Sequence, residues 1–241
     1  MKTILAIETS TAACSVALIH QGSCFHLFEM QPQRHAHRVL QMVDEVLQQA
    51  NINDSAIDFL AYGEGPGAFT GIRIATGVIQ GLALGWNKPV IAISSLEALA
   101  FAGLMEAQSN QTLKAPERVD WVALMDARMH EIYWQSGTYH FQTQSWDAKP
   151  AELLTEEIIQ TRLAEGAQMV IGDIEQSYPD LVKQINLWHS SLPSAQAVAR
   201  LAEMRLEEAN YISDKVPVPV YLRNNVAETT AQRVAKKAMR E

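Results

Sequence analysis

Two short stretches carry residue types whose spacing could do chemistry. Residues 65–71, GPGAFTG, follow an apolar run and open a helical one, so free backbone N–H groups at the helix start could receive an anion. Residues 8–13, ETSTAA, set a carboxylate beside three hydroxyls. Phosphate is the ligand such a pair would serve, through Thr9, Ser10 and Thr11 on one side and the backbone at Gly65 and Gly67 on the other. Neither stretch is complete. The first lacks the lysine and the spacing of G-x-x-x-x-G-K-[ST]. Thr70 stands where the third glycine of a dinucleotide fingerprint belongs. The second has no glycine, so Cβ atoms hinder the approach of a phosphate to its backbone. Both also read as ordinary structure, with loop glycines forming turns and Ser/Thr hydroxyls bonding their own backbone. Thr70 is then a candidate helix cap and Arg73 a candidate partner for a carboxylate.

Other chemistries find less support. None of the seven histidines forms an i, i+4 pair, no H-E-x-x-H occurs, and His35 and His37 would point to different sides of a helix. No metal set is expected, and His35 reads as a cap or contact residue. No G-x-S-x-G elbow supports a serine nucleophile. The net charge of -8 means that the body repels nucleic-acid phosphate, so contact with RNA would need a partner. Glu8 interrupts the N-terminal apolar run before a secretory core is complete, and no segment offers about 18 apolar residues in a row. The expectation is a soluble, cytoplasmic protein.

The elements that must position these residues follow from periodicity. Residues 3–9, 14–20 and 23–30 read as three strands, the first nearly all apolar, as in a strand covered on both faces. A turn at Gln21 and Gly22 puts Cys14 and Cys24 out of register for a bridge, leaving two reduced core thiols. Residues 36–50 place Val39, Leu40, Val43, Val46 and Leu47 at helical spacing. A strand at 57–63, a helix at 69–86, a strand at 89–94 and a helix at 95–107 complete the order βββαβαβα. After a polar stretch at 107–120, strands at 119–126 and 131–140, a helix at 155–166, a strand at 169–173 and a helix at 194–210 follow. In both halves an apolar strand ends in a carboxylate, Glu8 or Asp126, before a turn and a returning strand, which marks a weak internal duplication. The domain expectation is 1–108, then a smaller 109–226 whose last helix packs back on the first. A basic tail, 227–241, carries Arg233, Lys236, Lys237 and Arg240.

The helix at 69–86 is unusual. Gly77, Gly81 and Gly85 recur every fourth residue and leave one side bare. Each costs about 1 kcal/mol of helix propensity against alanine, so close packing must offset about 3 kcal/mol. The remaining faces carry Ile72, Ile74, Val78, Ile79, Leu82 and Leu84, as in a helix buried on several sides. The cover is either the chain's own sheet and neighbouring helix or a second protein chain.

The sequence resembles the bacterial TsaB (YeaZ) family. The matching stretches are ILAIETSTAACSVAL, RHAHRVLQMVDEVL, AYGEGPGAFTGIRIATGVIQGLALG, ALMDARMHEIYW and PVPVYLRNNVA, which cover both halves in order. The resemblance implies an α/β, actin-like ATPase (ASKHA) fold of two RNase H-like subdomains, the second reduced. It implies a non-catalytic subunit that TsaD and the ATPase TsaE need to transfer threonylcarbamoyl from threonylcarbamoyl-AMP to the adenosine beside the anticodon of tRNA. TsaD carries the metal and the transfer chemistry. The helices matching 36–50 and 69–86 pack on TsaD, or on a second copy in a homodimer, with tRNA reached only through the complex and no membrane involved. His35, Val39, Leu40, Val43, Leu47, Ile74, Gly77, Val78, Gly81, Leu82 and Gly85 are the expected partner face. Glu8, Arg73, Asp126 and Arg128 are motif residues with structural roles. No tightly bound cofactor is implied, with ATP or ADP possible at the TsaD interface. Ala68 stands where many members have serine, and Glu8 where aspartate is common. The alternative is an independent ATP-dependent enzyme of the actin and sugar-kinase class, suggested by Glu8 and Asp126 at paired strand ends.

Overall fold

The strands with continuous apolar runs are those covered on both faces. A computed structural model describes residues 1–30, 34–113, 117–164, 166 and 169–223. The first sheet contains β1 (Ile4–Glu8), β2 (Ala13–His20), β3 (Ser23–Met30), β4 (Phe59–Gly65) and β5 (Val90–Ser94), in the order β3-β2-β1-β4-β5. The pairs β1–β2 and β2–β3 are antiparallel, and β1–β4 and β4–β5 are parallel. Leu5 and Ile7 of β1 pack with α1 (His35–Gln49) and α2 (Phe69–Trp86). Ile4 and Ala6 pack on the opposite face with α3 (Ser95–Ser109) and α6 (Ala195–Glu203).

The second sheet contains β6 (Arg118–Asp126), β7 (Glu131–His140), β8 (Ser145–Ala148), β9 (Glu152–Thr155), β10 (Met169–Gly172) and β11 (Trp188–Ser190). Its order is β11-β10-β6-β7-β8, with β9 also on β7. Taken from the other edge, this is the order of the first sheet: an antiparallel β6–β7–β8 meander, then parallel β10 and β11. The molecule is thus two RNase H-like halves in the actin-like arrangement. The second half is reduced, because its α4 (Glu156–Ala164) and α5 (Pro179–Lys183) have 9 and 5 residues where α1 and α2 have 15 and 18.

The two halves share one core. Helix α3 is apolar nearly all round and is buried accordingly, with Leu96, Leu99 and Leu104 inaccessible to solvent. Trp121 of β6 stacks on Trp146 of β8 at 4.7 Å, and the Trp146 indole N–H donates to Glu97 of α3 at 2.8 Å. Glu97 is 6% exposed and is paired with Arg205.

Several sequence expectations need correction. The helix expected over 194–210 stops at Glu203, where the chain turns so that Arg205 reaches Glu97; a single short turn follows at Leu206–Glu208. Strands β8, β9 and β11 and helix α5 lie outside the expected elements, being too short to show a period. The hairpin turn does fall at Gln21 and Gly22, both left-handed. It pairs Cys24 with Ile19 and Cys14 with Glu29, and both thiols are free. Among the described residues no helix is long and apolar enough to cross a membrane. Arg233, Lys236, Lys237 and Arg240 lie outside the described residues.

Candidate functional site

The hairpin after β1 and the loop before α2 come together, each filling the other's space. Thr9 donates its hydroxyl to the Gly71 carbonyl at 2.8 Å, and the Ala68 amide donates to the Ser10 carbonyl at 2.7 Å. A β-carbon at Gly67 would lie 2.6 Å from Ser10, and one at Gly71 would lie 2.0 Å from the Thr9 carbonyl oxygen. Two of the motif's glycines therefore let the loop lie on the hairpin. Thr9 and Ser10 are buried, and Thr11 accepts from the Ala13 amide at 3.2 Å. Gly65 is left-handed, at φ +103°, and faces the Val220 carbonyl. The Thr9 and Thr11 hydroxyls and the Ser10 and Gly65 amides of the expected phosphate cradle thus have protein partners, while the buried Ser10 hydroxyl has none among the described residues.

Glu8 is sealed beneath the hairpin. One carboxyl oxygen accepts from the Ser10 amide at 2.6 Å and the other from the Ser95 hydroxyl at 2.9 Å. Burial pushes this carboxyl above the usual carboxylate range, and the hydrogen bonds from Ser10 and Ser95 pull the other way. Its counterpart Asp126, at the end of β6, accepts from the Arg128 amide and the Ser177 hydroxyl, both at 2.7 Å. The Arg128 guanidinium lies 3.2 Å from the same carboxylate. Asp173, just after β10, accepts from the Asp126 amide at 3.2 Å. Its pKa is pushed up to about 6, chiefly by burial and further by the neighbouring Asp126 charge. Among the described residues no group of three or more His, Cys, Asp or Glu side chains is gathered to hold a metal ion.

The expected partner face divides in two. His35 is buried with its ring nitrogen 3.3 Å from the Ala12 carbonyl, and Val39, Val43 and Leu47 are in the core beneath α1. Those four are corrected from surface to interior, because the apolar side of an amphipathic helix is taken by its own sheet. Leu40 is half exposed. Ile74, Val78 and Leu82 are half-buried at the edge of the same core. Gly77, Gly81 and Gly85 are exposed, and a β-carbon at any of them would meet nothing among the described residues within 4 Å. Helix α2 is thus as apolar as α3 but, unlike α3, keeps a bare side open, with Leu84 73% exposed beside it.

At the start of α2 two other expectations give way. Ala68 occupies the cap position with no side-chain cap, so Thr70 does not serve there. Arg73 pairs with rings: its guanidinium carbon lies 3.6 Å from the centroid of Phe69, and its Nε donates to the Tyr221 hydroxyl at 2.7 Å. Tyr221 was not foreseen as part of this face, since about 150 residues separate it from Arg73 and no local period links them.

The comparisons with known proteins agree with this architecture. The family model described as "TsaD: tRNA N6-adenosine threonylcarbamoyltransferase" matches residues 29–231. The TsaB protein of Escherichia coli K12 is 36% identical over 93% of this chain and 96% of its own, and that of Haemophilus influenzae is 34% identical over 93% and 94%. A solved structure described as YeaZ from Pseudomonas aeruginosa superposes with a TM-score of 0.74 at 35% identity, covering 92% of this chain and all of that one. Another, described as similar to peptidase YeaZ and from the same organism, gives 0.75 at 37% with the same coverage. Matched by curated relatives at 34–36% identity over 93% of its length and by the family model over most of it, the chain belongs to the TsaB (YeaZ) family of tRNA threonylcarbamoyladenosine biosynthesis proteins.

Proposed function

We propose that the chain is a non-catalytic subunit in the biosynthesis of threonylcarbamoyladenosine in tRNA, docking through α2 and the exposed edge of α1 onto a TsaD-type partner. That partner, with a TsaE-type ATPase, transfers threonylcarbamoyl to tRNA; a second copy of this chain takes the same face when the partner is absent. The observation that carries the reading is the open row of Gly77, Gly81 and Gly85 on a helix apolar on its other sides. A row of bare backbone lets another helix approach closely, and among the described residues nothing lies against it. The names of the relatives support the pathway. The closed Thr9–Ser10 hairpin supports a subunit that holds no nucleotide of its own; ATP or ADP belongs at the partner interface. The working compartment is the cytoplasm, with tRNA reached through the complex.

The test is reconstitution. With TsaD, TsaE, threonylcarbamoyl-AMP and tRNA, modification should depend on this chain. Gly81→Leu should leave the chain folded yet weaken association with TsaD at least tenfold by sedimentation. Undiminished association would overturn the docking face, and modification proceeding equally without the chain would overturn the role.

A further inference from the structure

Residues 217–223, PVPVYLR, run as an extended strap whose bonds reach both halves of the molecule. Pro217 and Pro219 keep the strap out of helix and remove two donors, so the remaining polar atoms must find partners on what the strap crosses. At the end of β4 the Tyr62 hydroxyl donates to the Val218 carbonyl at 3.0 Å, and the Val220 amide donates to the Glu64 carbonyl at 2.7 Å. On the α2 side, the Gln80 amide donates to the Pro217 carbonyl at 2.7 Å, and Arg73 binds the Tyr221 hydroxyl.

The other end grips the turn between β6 and β7. Arg223 Nε donates to the Glu131 carboxylate at 3.0 Å, and its Nη2 donates to the Arg128 carbonyl at 3.1 Å. That turn holds three successive non-glycine residues in the left-handed region: Arg128, Met129 and His130, at φ 62°, 56° and 63°. Such a run is strained for L-residues and persists only where its surroundings fix it. Asp126 fixes its start through the Arg128 amide, and Arg223 fixes its end. The turn's side chains stand in solvent, with Met129 71% exposed.

We infer that the strap is a tie coupling the end of β4, beside the outer side of α2 in the first half, to the strained Arg128–His130 turn in the second, so that a disturbance at either end loosens the other. The tie is a property of the isolated chain and holds or fails independently of whether α2 docks a partner.

Amide hydrogen exchange on the full-length chain tests it from both ends. Arg223→Ala cuts the turn end and should speed exchange at the Val220 amide at least fivefold. Tyr62→Phe cuts the β4 end and should speed exchange at the Glu131 amide, which closes the turn on the Arg128 carbonyl, by a similar factor. The amides of β1 and β2 should keep their wild-type rates in both variants. If either variant accelerates only its own end, with the far amide within twofold of wild type, the tie does not exist. Should Arg223→Ala accelerate the β1 and β2 amides as well, Arg223→Lys replaces it. Lysine keeps the charge but loses the planar fork, and the same far-end acceleration or its absence decides.

Discussion

A β-carbon on Gly63 would sit 1.8 Å from Oε2 of Glu8. The glycine of β4 and the carboxylate that ends β1 are therefore one structural unit: the missing side chain is the room in which the carboxyl lies. The same virtual atom would be 2.9 Å from the Ser95 hydroxyl that donates to Glu8. The carboxylate on which the sugar-kinase alternative leans is thus a buried bracket between β1, β4 and α3.

Gly63→Ala should destabilise the chain by about 1–3 kcal/mol, since overpacking a filled site displaces Glu8 from its donors. Chemical denaturation measures it. The same substitution made on a Glu8→Ala background should cost much less, because the atom it strikes is gone. Equal costs in the two backgrounds would show that the two residues are not coupled.

Replacing Gly77, Gly81 and Gly85 together by alanine should have opposite effects alone and in complex. The three β-carbons meet nothing among the described residues within 4 Å, so the isolated chain should gain up to about 3 kcal/mol from helix propensity. Association with the partner should fall, because the close approach is lost. Thermal melting reads the first and sedimentation the second. A gain in stability with unchanged association would remove the stripe from the docking face.

Asp173 makes a pH prediction with a definite sign. Its pKa is pushed up from 3.8 to about 6 in the fold, so between these values the native state holds a proton that the unfolded chain has lost. Its contribution is fully present below about pH 4 and is lost as pH rises through 6, a change of about 2–3 kcal/mol. Asp173→Asn keeps an acceptor for the Asp126 amide but cannot titrate. The variant's stability relative to wild type should therefore rise across this window, as measured by urea denaturation at pH 4 and pH 7. A constant difference would mean that the Asp173 carboxyl is not held high.

With magnesium and ATP the isolated chain should show no saturable hydrolysis, since Thr9 and Ser10 are buried and both Asp126 oxygens already accept from Arg128 and Ser177. A phosphate-release assay with Asp126→Asn as control decides it. Robust turnover that the substitution abolishes would favour the sugar-kinase alternative.

Periodicity and composition by themselves determined the element order of the first half and the α2 boundaries at 69 and 86, because local spacing encodes burial directly. The resemblance carried the family. Only the tertiary structure decided which apolar residues stay available. Val39 and Val43 look as suited to a partner as Ile74 or Gly81 in the sequence, yet the sheet takes the first pair and leaves the stripe open. It also decided that Gly67 and Gly71 make room for Ser10 and Thr9. Arg73 met Tyr221, and Arg223 met Glu131, across chain separations that no window spans. The physical reason is the same in each case: a spacing fixes the side of an element on which a residue lies, and only the packing of distant elements fixes what that side meets.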